Sequence, residues 1–461
     1  VTALVFGLGV AGKAVTRALI QRGQKPRIAD DRVTPDHRKF ADELGLSVEA
    51  IGENDHRSSE DRVSAALHDI DLLLPAPGVP ESHEVIVEAR RRGIEILSEI
   101  ELAYRWESQR AGGARPMVGI TGTDGKTTTT LMASAILGRA GLRCAAVGNT
   151  ETPLISALEG EYDCFAVECS SFRLNFTDTF RCVGSAWLNL APDHLDWHDD
   201  MDSYRRAKEK LWSHLRAGDV AVAPTSDAGI LAAAMSSAGR TVTFGLDRGD
   251  YHALDGLLQS PHGVLLERTA MSRGLPHDVT NALAATAVCV ETGLAQIVDA
   301  ADALREFRHA HHRIELVAER DGIKWFDDSK ATSPHAAGVA IRSFESVVLI
   351  AGGRNKELDL SAMAEDVSRI RAVVVIGESA DDLAAVFDGK VPVRRAASMG
   401  EAVEHAASLA KSGDVVLLSP GCTSYDWYSN YGERGDDFQR NVKNLVGGRR
   451  PLSWLVRKGR K

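Results

Sequence analysis

Short apolar runs of buried-strand length alternate, along nearly the whole chain, with stretches whose apolar positions recur at helical spacing. The first region predicts strands at 4–6, 27–29, 72–74 and 95–97, with amphipathic helices between them, among them 15–21 and 84–92. A polar stretch with a Gly-Gly pair, 107–115, reads as a loop close to a domain boundary. The middle region predicts strands at 117–120, 144–147, 165–168, 186–190, 220–223 and 242–244, and a helix over 201–214. After a His-rich turn at 309–313 come strands at 324–326, 347–350, 373–376 and 415–418. This alternation is the signature of α/β architecture. A chain of 461 residues suits three domains at roughly 150 residues each. Three consecutive α/β domains are expected, over 1–98, 99–309 and 310–461.

Composition narrows the class. Apolar residues make up 44% and charged residues 26% of the chain, which excludes a disordered or fibrous protein. No apolar stretch approaches the ~18–20 residues of a membrane span. The chain opens on a strand-like run with no basic-then-apolar leader, so a cytoplasmic protein without membrane insertion is expected. A net charge of −10 argues against nucleic-acid binding, which relies on cationic patches. The six cysteines (144, 164, 169, 182, 289 and 422) form no CxxC pair and read as reduced core thiols, not a zinc site.

The candidate chemistry lies in the turns. Gly7-Leu8-Gly9-Val10-Ala11-Gly12 is a GxGxxG between a strand and a helix, and Asp30 ends the second strand. Gly7 permits the tight turn, Gly9 a close diphosphate approach, and Gly12 close packing of helix on strand. The motif alone leaves a dinucleotide, another nucleotide or a packing turn open. The stronger motif is Thr121-Gly122-Thr123-Asp124-Gly125-Lys126-Thr127-Thr128, where a helix start presents backbone N–H groups to phosphate. Lys126 can reach the β- and γ-phosphates and Thr127 can ligate Mg²⁺. Ile120 stands where the strict pattern has its first glycine. A dehydrogenase has no use for this loop, so two phosphate loops favour an enzyme with two nucleotide-like ligands.

Glu168 ends a strand where α/β sheets bind ligands, and is a Mg²⁺ ligand or a solvated acid. His194 and His198 have a zinc-like spacing, but the turn at Pro192 and the triphosphate loop favour a magnesium site using His194 alone, with His198 packing or hydrogen-bonded. In the helix over 201–214, Lys208 shares the apolar face of Tyr204, Ala207, Leu211 and Trp212, whereas Arg205, Arg206, Glu209 and Lys210 point away. A lysine on a core face is costly unless paired. Its neutral amine can add CO₂ to become an anionic carbamate; the alternative is a snorkelling side chain. Three further segments follow strands of the last region: 327–332 (DDSKAT), 352–356 (GGRNK) and 419–424 (SPGCTS). They should converge on one sheet edge whose lysines, arginine and hydroxyls suit an anionic substrate.

With these blocks in hand, TGTDGKTTT, VECSSF, LNLAPDHLDWH with YRRAK, FDDSKATSPHA, IAGGRNK and LSPGCTSYDWYSNYGERGDDF resemble the Mur ligases in order and spacing. The last three are similar to the members that add D-glutamate to UDP-N-acetylmuramoyl-L-alanine. The resemblance implies a Rossmann-like first domain for the UDP precursor, a P-loop central domain of ATPase type for ATP and Mg²⁺, with two ions, and a Rossmann-like last domain for the amino acid. It implies UDP-precursor contacts at Gly9, Val10, Ala11, Asp30, Arg32 and Gly78, and muramoyl contacts at Asn149 and Ser170. ATP falls to 122–128 with Asn281, Arg313 and Asp328; metal ligation to Thr127, Glu168, His194 and a carbamylated Lys208; and D-glutamate to Lys330, Thr332, Lys356, Ser424 and Tyr431. Lys126, His194, Lys208 and Lys330 are the expected catalytic set, in a monomer. Asp278, Thr150, Glu151, Arg173, Ala76 and Tyr431 depart from the family pattern. Glu151 is expected to turn outward or to pair with Arg173. The rivals are a sibling ligase for another amino acid and, more remotely, a nicotinamide dehydrogenase.

Overall fold

The computed structural model describes residues 1–52, 58–149, 152–195, 197–356 and 358–448. Five strands, β1 (Ala3–Phe6), β2 (Arg27–Asp30), β3 (Val48–Ala50), β4 (Leu72–Pro75) and β5 (Glu95–Ile96), pair in parallel in the order β3-β2-β1-β4-β5. β1 and β4 are wholly buried apolar runs, as strands covered on both faces must be. The strand order reverses between them, so the loops after β1 and β4 flank the crevice where such sheets take ligands.

The second sheet is also parallel: β6 (Met117–Thr121), β7 (Cys144–Gly148), β8 (Cys164–Glu168), β9 (Gly184–Trp187), β10 (Val220–Pro224) and β11 (Arg240–Phe244), in the order β11-β10-β9-β6-β8-β7. β6 lies between β8 and β9, so the loops after all three leave the same edge. A small antiparallel sheet of β12 (His252–Leu254), β13 (Leu257–Ser260) and β14 (Gly263–Glu267) follows. The helix Pro276–Glu291 packs on the helix Lys126–Arg139 through a core that includes Ile136, Leu283 and Val288. One apolar cluster, with Val5, Leu19, Leu102, Leu154 and Phe165, joins the first two sheets. Residues Val1–Leu190 and Trp197–Phe307 accordingly form one compact unit, and 191–195 with 308–448 another.

The second unit holds a six-stranded sheet in the order β15-β16-β20-β17-β18-β19: β15 (Glu315–Arg320), β16 (Ile323–Asp327), β17 (Val347–Gly352), β18 (Ile370–Ile376), β19 (Val393–Arg395) and β20 (Val415–Leu418). Only β15 is antiparallel. Among the described residues no helix is long and apolar enough to cross a membrane. All six cysteines are free thiols, five of them buried.

Several expectations need correction. The strand expected at 186–190 is Gly184–Trp187, because Asn189 turns its side chain onto the phosphate loop. The helix over 201–214 is α-helical only to Glu209 and tightens into a 3₁₀ turn at Lys210–Trp212. Lys210 does not point away: its Nζ donates to the carbonyls of Asn175 (2.5 Å) and Thr177 (3.2 Å). The 107–115 stretch does run between the first and second sheets, as a loop near a domain boundary should, and Arg115 in it is paired with Glu107 at 2.7 Å.

Candidate active site

The phosphate loop is shaped by two glycines and one asparagine. Gly122 and Gly125 have φ of 155° and 80°, backbone that L side chains avoid. A Cβ at Gly125 would also stand 2.5 Å from Asn281 Oδ1. The resemblance-implied nucleotide residue Asn281 therefore lies against the loop. Asn189 Oδ1 accepts from the N–H groups of both Thr123 and Asp124 at 2.9 Å, pinning the loop from the end of β9. Lys126 Nζ donates to the carbonyls of Gly122 (2.9 Å) and Thr123 (2.6 Å). Thr127 is half-buried and Thr128 buried in the first turn of the helix.

Lys208 is 1% exposed, as its place on the apolar face predicts. Its Nζ donates to Gly122 O at 2.8 Å and lies 4.4 Å from the Tyr204 ring centroid. Two ammonium groups thus converge on one carbonyl oxygen. On the neighbouring strand Glu168 is buried; Oε1 accepts from Asn149 Nδ2 at 3.3 Å, and Oε2 has no hydrogen-bond partner among the described residues. Asn149 Oδ1 accepts from Arg173 Nη1 at 3.2 Å. Ser170 caps the next short helix. The Arg173 guanidinium is buried 3.5 Å from Glu99, so it already has a carboxylate partner. Burial pushes the Glu99 carboxyl up against the pull of Arg173. Thr150 and Glu151 lie outside the described residues, and so does the expected placement of the Glu151 carboxylate. His198 is packed, as expected, among Phe172, Trp197 and Tyr204, with Nε2 2.9 Å from Ser171 Oγ.

In the first sheet, Gly7 has φ of 90°, and a Cβ on Gly12 would stand 1.9 Å from Gly7 O. Gly9 and Gly78 face open space, and Val10 is 69% exposed beside them. This is an approachable loop and not only a packing turn. Asp30 Oδ2 accepts from Leu8 N (2.7 Å) and Oδ1 from Arg32 N (3.0 Å). The acid thus braces the glycine loop, and the Ala11 and Arg32 positions flank the brace.

Asp278 in place of the family's asparagine is explained. Its buried carboxylate takes Arg273 Nε (2.6 Å) and Nη2 (2.7 Å) and caps the helix start at Leu275 N. The residue serves helix initiation, and Asn281, one turn on, faces the loop.

In the second unit, the three expected segments do meet at one sheet edge. Ser419 Oγ donates to Asp328 Oδ2 at 2.8 Å, Gly352 N to Pro420 O at 2.9 Å, and Arg354 and Thr423 exchange backbone bonds. Lys330 Nζ stands 3.7 Å from the Tyr431 ring centroid. Ser424 is buried, Thr332 half-buried, and Lys356 lines a cavity of about 550 Å³ with Pro334, His335 and Arg342. Arg313 lies in a strained turn: His312 and the β-branched Ile314 have φ of 62° and 46°. The turn is held by His312 Nδ1 on Asp327 (2.7 Å) and by Ile314 N on Asp328 Oδ1 (3.2 Å). His194 also has a left-handed backbone (φ 56°), with its imidazole 3.3 Å from Asp193. Sequence reasoning missed Asn189 and the buried Arg434, whose partners lie far away along the chain.

A triphosphate loop with a buried, half-satisfied carboxylate beside it defines a nucleotide-handling α/β enzyme. The chain belongs to the Mur ligase family: residues 1–98 match the Mur ligase MurD-like N-terminal domain, 120–289 the middle domain and 312–422 the glutamate ligase domain. It is 39% identical to the UDP-N-acetylmuramoylalanine–D-glutamate ligase of Frankia casuarinae, covering 96% of this chain and 94% of that one. The enzyme of the same name from Thermobifida fusca is 36% identical, over 96% and 98%. Among solved structures, UDP-N-acetylmuramate–alanine ligase MurC from Thermotoga maritima shares the fold, with a TM-score of 0.58 at 19% identity over 96% of this chain and 99% of that one.

Proposed function

We propose that the chain is an ATP-dependent ligase that joins D-glutamate to the L-alanyl carboxyl of UDP-N-acetylmuramoyl-L-alanine, in peptidoglycan precursor synthesis. The observation that carries this reading is whole-length identity to ligases of that name, on a scaffold that retains the phosphate loop. The domains are read as 1–98 for the UDP precursor, 99–309 for ATP and 310–461 for the amino acid. The protein is read as a cytoplasmic monomer.

The L-alanyl carboxylate attacks the γ-phosphate, giving an acyl phosphate and ADP. The D-glutamate amine then adds to the acyl carbon, and the tetrahedral intermediate expels phosphate. Backbone N–H groups at the start of helix Lys126–Arg139, with Lys126, hold the triphosphate in line. To do so Lys126 exchanges the carbonyls of Gly122 and Thr123 for phosphate oxygens. Asn189 keeps the loop open, and Asn281, Arg313 and Asp328 are assigned to the nucleotide. The unpartnered Glu168 Oε2 fits a cation. Unmodified, Lys126 and Lys208 bring two positive charges to Gly122 O and would repel a metal ion there; carbamylation of Lys208 would turn one of them into an anion. Thr127, Glu168 and carbamylated Lys208 would hold Mg²⁺, with His194 a further ligand, and two such ions supply Lewis-acid neutralisation of the transferring phosphoryl group. Lys330, Thr332, Lys356, Ser424 and Tyr431 are assigned to D-glutamate.

ADP release is the test, measured with each substrate omitted in turn and across a panel of amino acids. Release is expected only when the UDP precursor and D-glutamate are both present. Equal turnover with L-glutamate, or with another amino acid, would transfer the protein to a sibling activity.

A further inference from the structure

Arg434 is the largest charged side chain buried in the second unit, at 1% exposure. Among the described residues no carboxylate lies within ion-pair distance of it. Its guanidinium is held instead by neutral oxygens: Nε donates to Ser329 Oγ (3.0 Å), Nη2 to Ser329 O (2.8 Å), and Nη1 to Cys422 O (3.1 Å) and Gly352 O (3.4 Å). Burial pushes the group down to about 10, still charged at neutral pH. Asp426 and Asp327 act on it only from beyond ion-pair distance, and a buried cation with no directly paired carboxylate is costly, so it calls for a use.

The partners indicate that use. Ser329 precedes Lys330 after β16, Gly352 opens the segment to Lys356 after β17, and Cys422 lies two residues before Ser424 after β20. Arg434 itself sits one turn after Tyr431, whose carbonyl accepts from Ser329 Oγ at 2.7 Å. One planar fork therefore ties together the three loops and the helix start that carry the residues assigned to D-glutamate. The neighbouring glycines make room: a Cβ on Gly353 would stand 2.0 Å from Thr423 O and 3.1 Å from Arg434 Nη1.

We propose that Arg434 is the positioning residue of the amino-acid subsite, fixing the three loops and the helix start that carry the residues assigned to D-glutamate. It does not touch that substrate. The proposal rests on the assignment of D-glutamate to this edge. Lysine keeps the charge but has no planar fork, so Arg434→Lys tests the fork with less risk of fold loss than truncation.

The test is the KM of each substrate in Arg434→Lys, Ser329→Ala and Lys330→Ala, alongside thermal unfolding. In Arg434→Lys the KM for D-glutamate should rise about tenfold or more while those for ATP and the UDP precursor stay within about twofold. Ser329→Ala keeps the guanidinium and removes one acceptor, and should show the same split at about threefold; it decides the question if Arg434→Lys does not fold. All three KM values rising together, or none moving, would mean a purely structural arginine and would overturn the proposal. Lys330→Ala guards the underlying assignment. If it leaves the D-glutamate KM unmoved, the subsite lies elsewhere and the proposal falls with it. If it raises that KM while neither other variant does, the subsite stands and only the role of Arg434 is overturned.

Discussion

At Gly125 two independent constraints coincide. The backbone is left-handed, and the space for a Cβ is taken by Asn281 Oδ1 at 2.5 Å. Gly125→Ala must therefore both strain the loop and push Asn281, assigned above to the nucleotide, away from it. The expected outcome is a fall of about a hundredfold or more in kcat/KM for ATP with little loss of unfolding temperature. Lys208 makes a different claim. If its carbamate holds metal, Lys208→Ala should lower kcat by about 10²–10³, and added formate or acetate should restore part of it by filling the vacated space. A fully active variant would show that the side chain only packs. His312 tests the strained turn beside Arg313. Its hydrogen bond to Asp327 raises the imidazole above its ordinary value against the effect of burial, with Asp436 and Glu315 adding to the rise. A raised folded value means stability that is complete below the ordinary imidazole value and is lost as pH climbs through the raised one. The gap in unfolding temperature between the parent and His312→Asn should thus be widest near about pH 6 and narrow as the solution becomes alkaline. A gap independent of pH would assign the imidazole a packing role alone.

Among the elements, the polar segment after helix Glu99–Ser108 falls between the matched N-terminal and middle domains, where its glycines and charges put a boundary. It is anchored all the same: Arg115 and Glu107 form a bidentate pair with side chains 7% and 2% exposed, and Arg115 also holds the carbonyls of Leu158 and Gly160. Burial disfavours the Glu107 charge, but Arg115 outweighs it and holds the carboxyl below its usual value. Arg115→Ala leaves a buried carboxylate unpaired and should cost about 3–5 kcal/mol in denaturant unfolding. Because a lowered carboxyl contributes above its unfolded value and loses that contribution as pH falls through its folded one, the deficit should shrink in acid. The strands that the pattern located, such as β1, β8 and β20, are fully buried runs whose apolar length is set by two covered faces. Of those it missed, β3, β15 and β19 lie at sheet edges and read VEA, ELVAER and VRR, where one side answers to solvent, and β12, β13 and β14, short and partly exposed, make up the small antiparallel sheet. The site divides in the same way. The phosphate loop, Glu168 and Lys208 were legible because their chemistry is local: a turn, a strand end, a charge on an apolar helix face. Asn189 and Arg434 were not, since a lone polar residue gains its role only from partners 66 and 105 residues away.

At the scale of the whole molecule, the first sheet poses the sharpest choice, because its strand order and GxGxxG suit a dinucleotide as well as a UDP-sugar. The decisive residue is Asp30. In a dinucleotide site the acid at this place takes a ribose hydroxyl pair, but here one oxygen accepts from Leu8 N and the other from Arg32 N. A ribose hydroxyl pair would have to share these oxygens with the two N–H groups that brace the glycine loop. Gly9, Val10 and Gly78, in contrast, lie open, so a diphosphate can settle on the loop without disturbing the brace. A ligand that binds there should slow amide exchange in the loops after β1 and β4, and the effect should be absent in the second unit when no other substrate is present. UDP-N-acetylmuramoyl-L-alanine is expected to protect residues 7–12 and 76–79, whereas NAD at the same concentration leaves them unchanged. Protection by NAD, with tight binding by calorimetry, would mean that Asp30 takes a ribose alongside the brace, and the first domain would have to be reassigned to a nicotinamide cofactor.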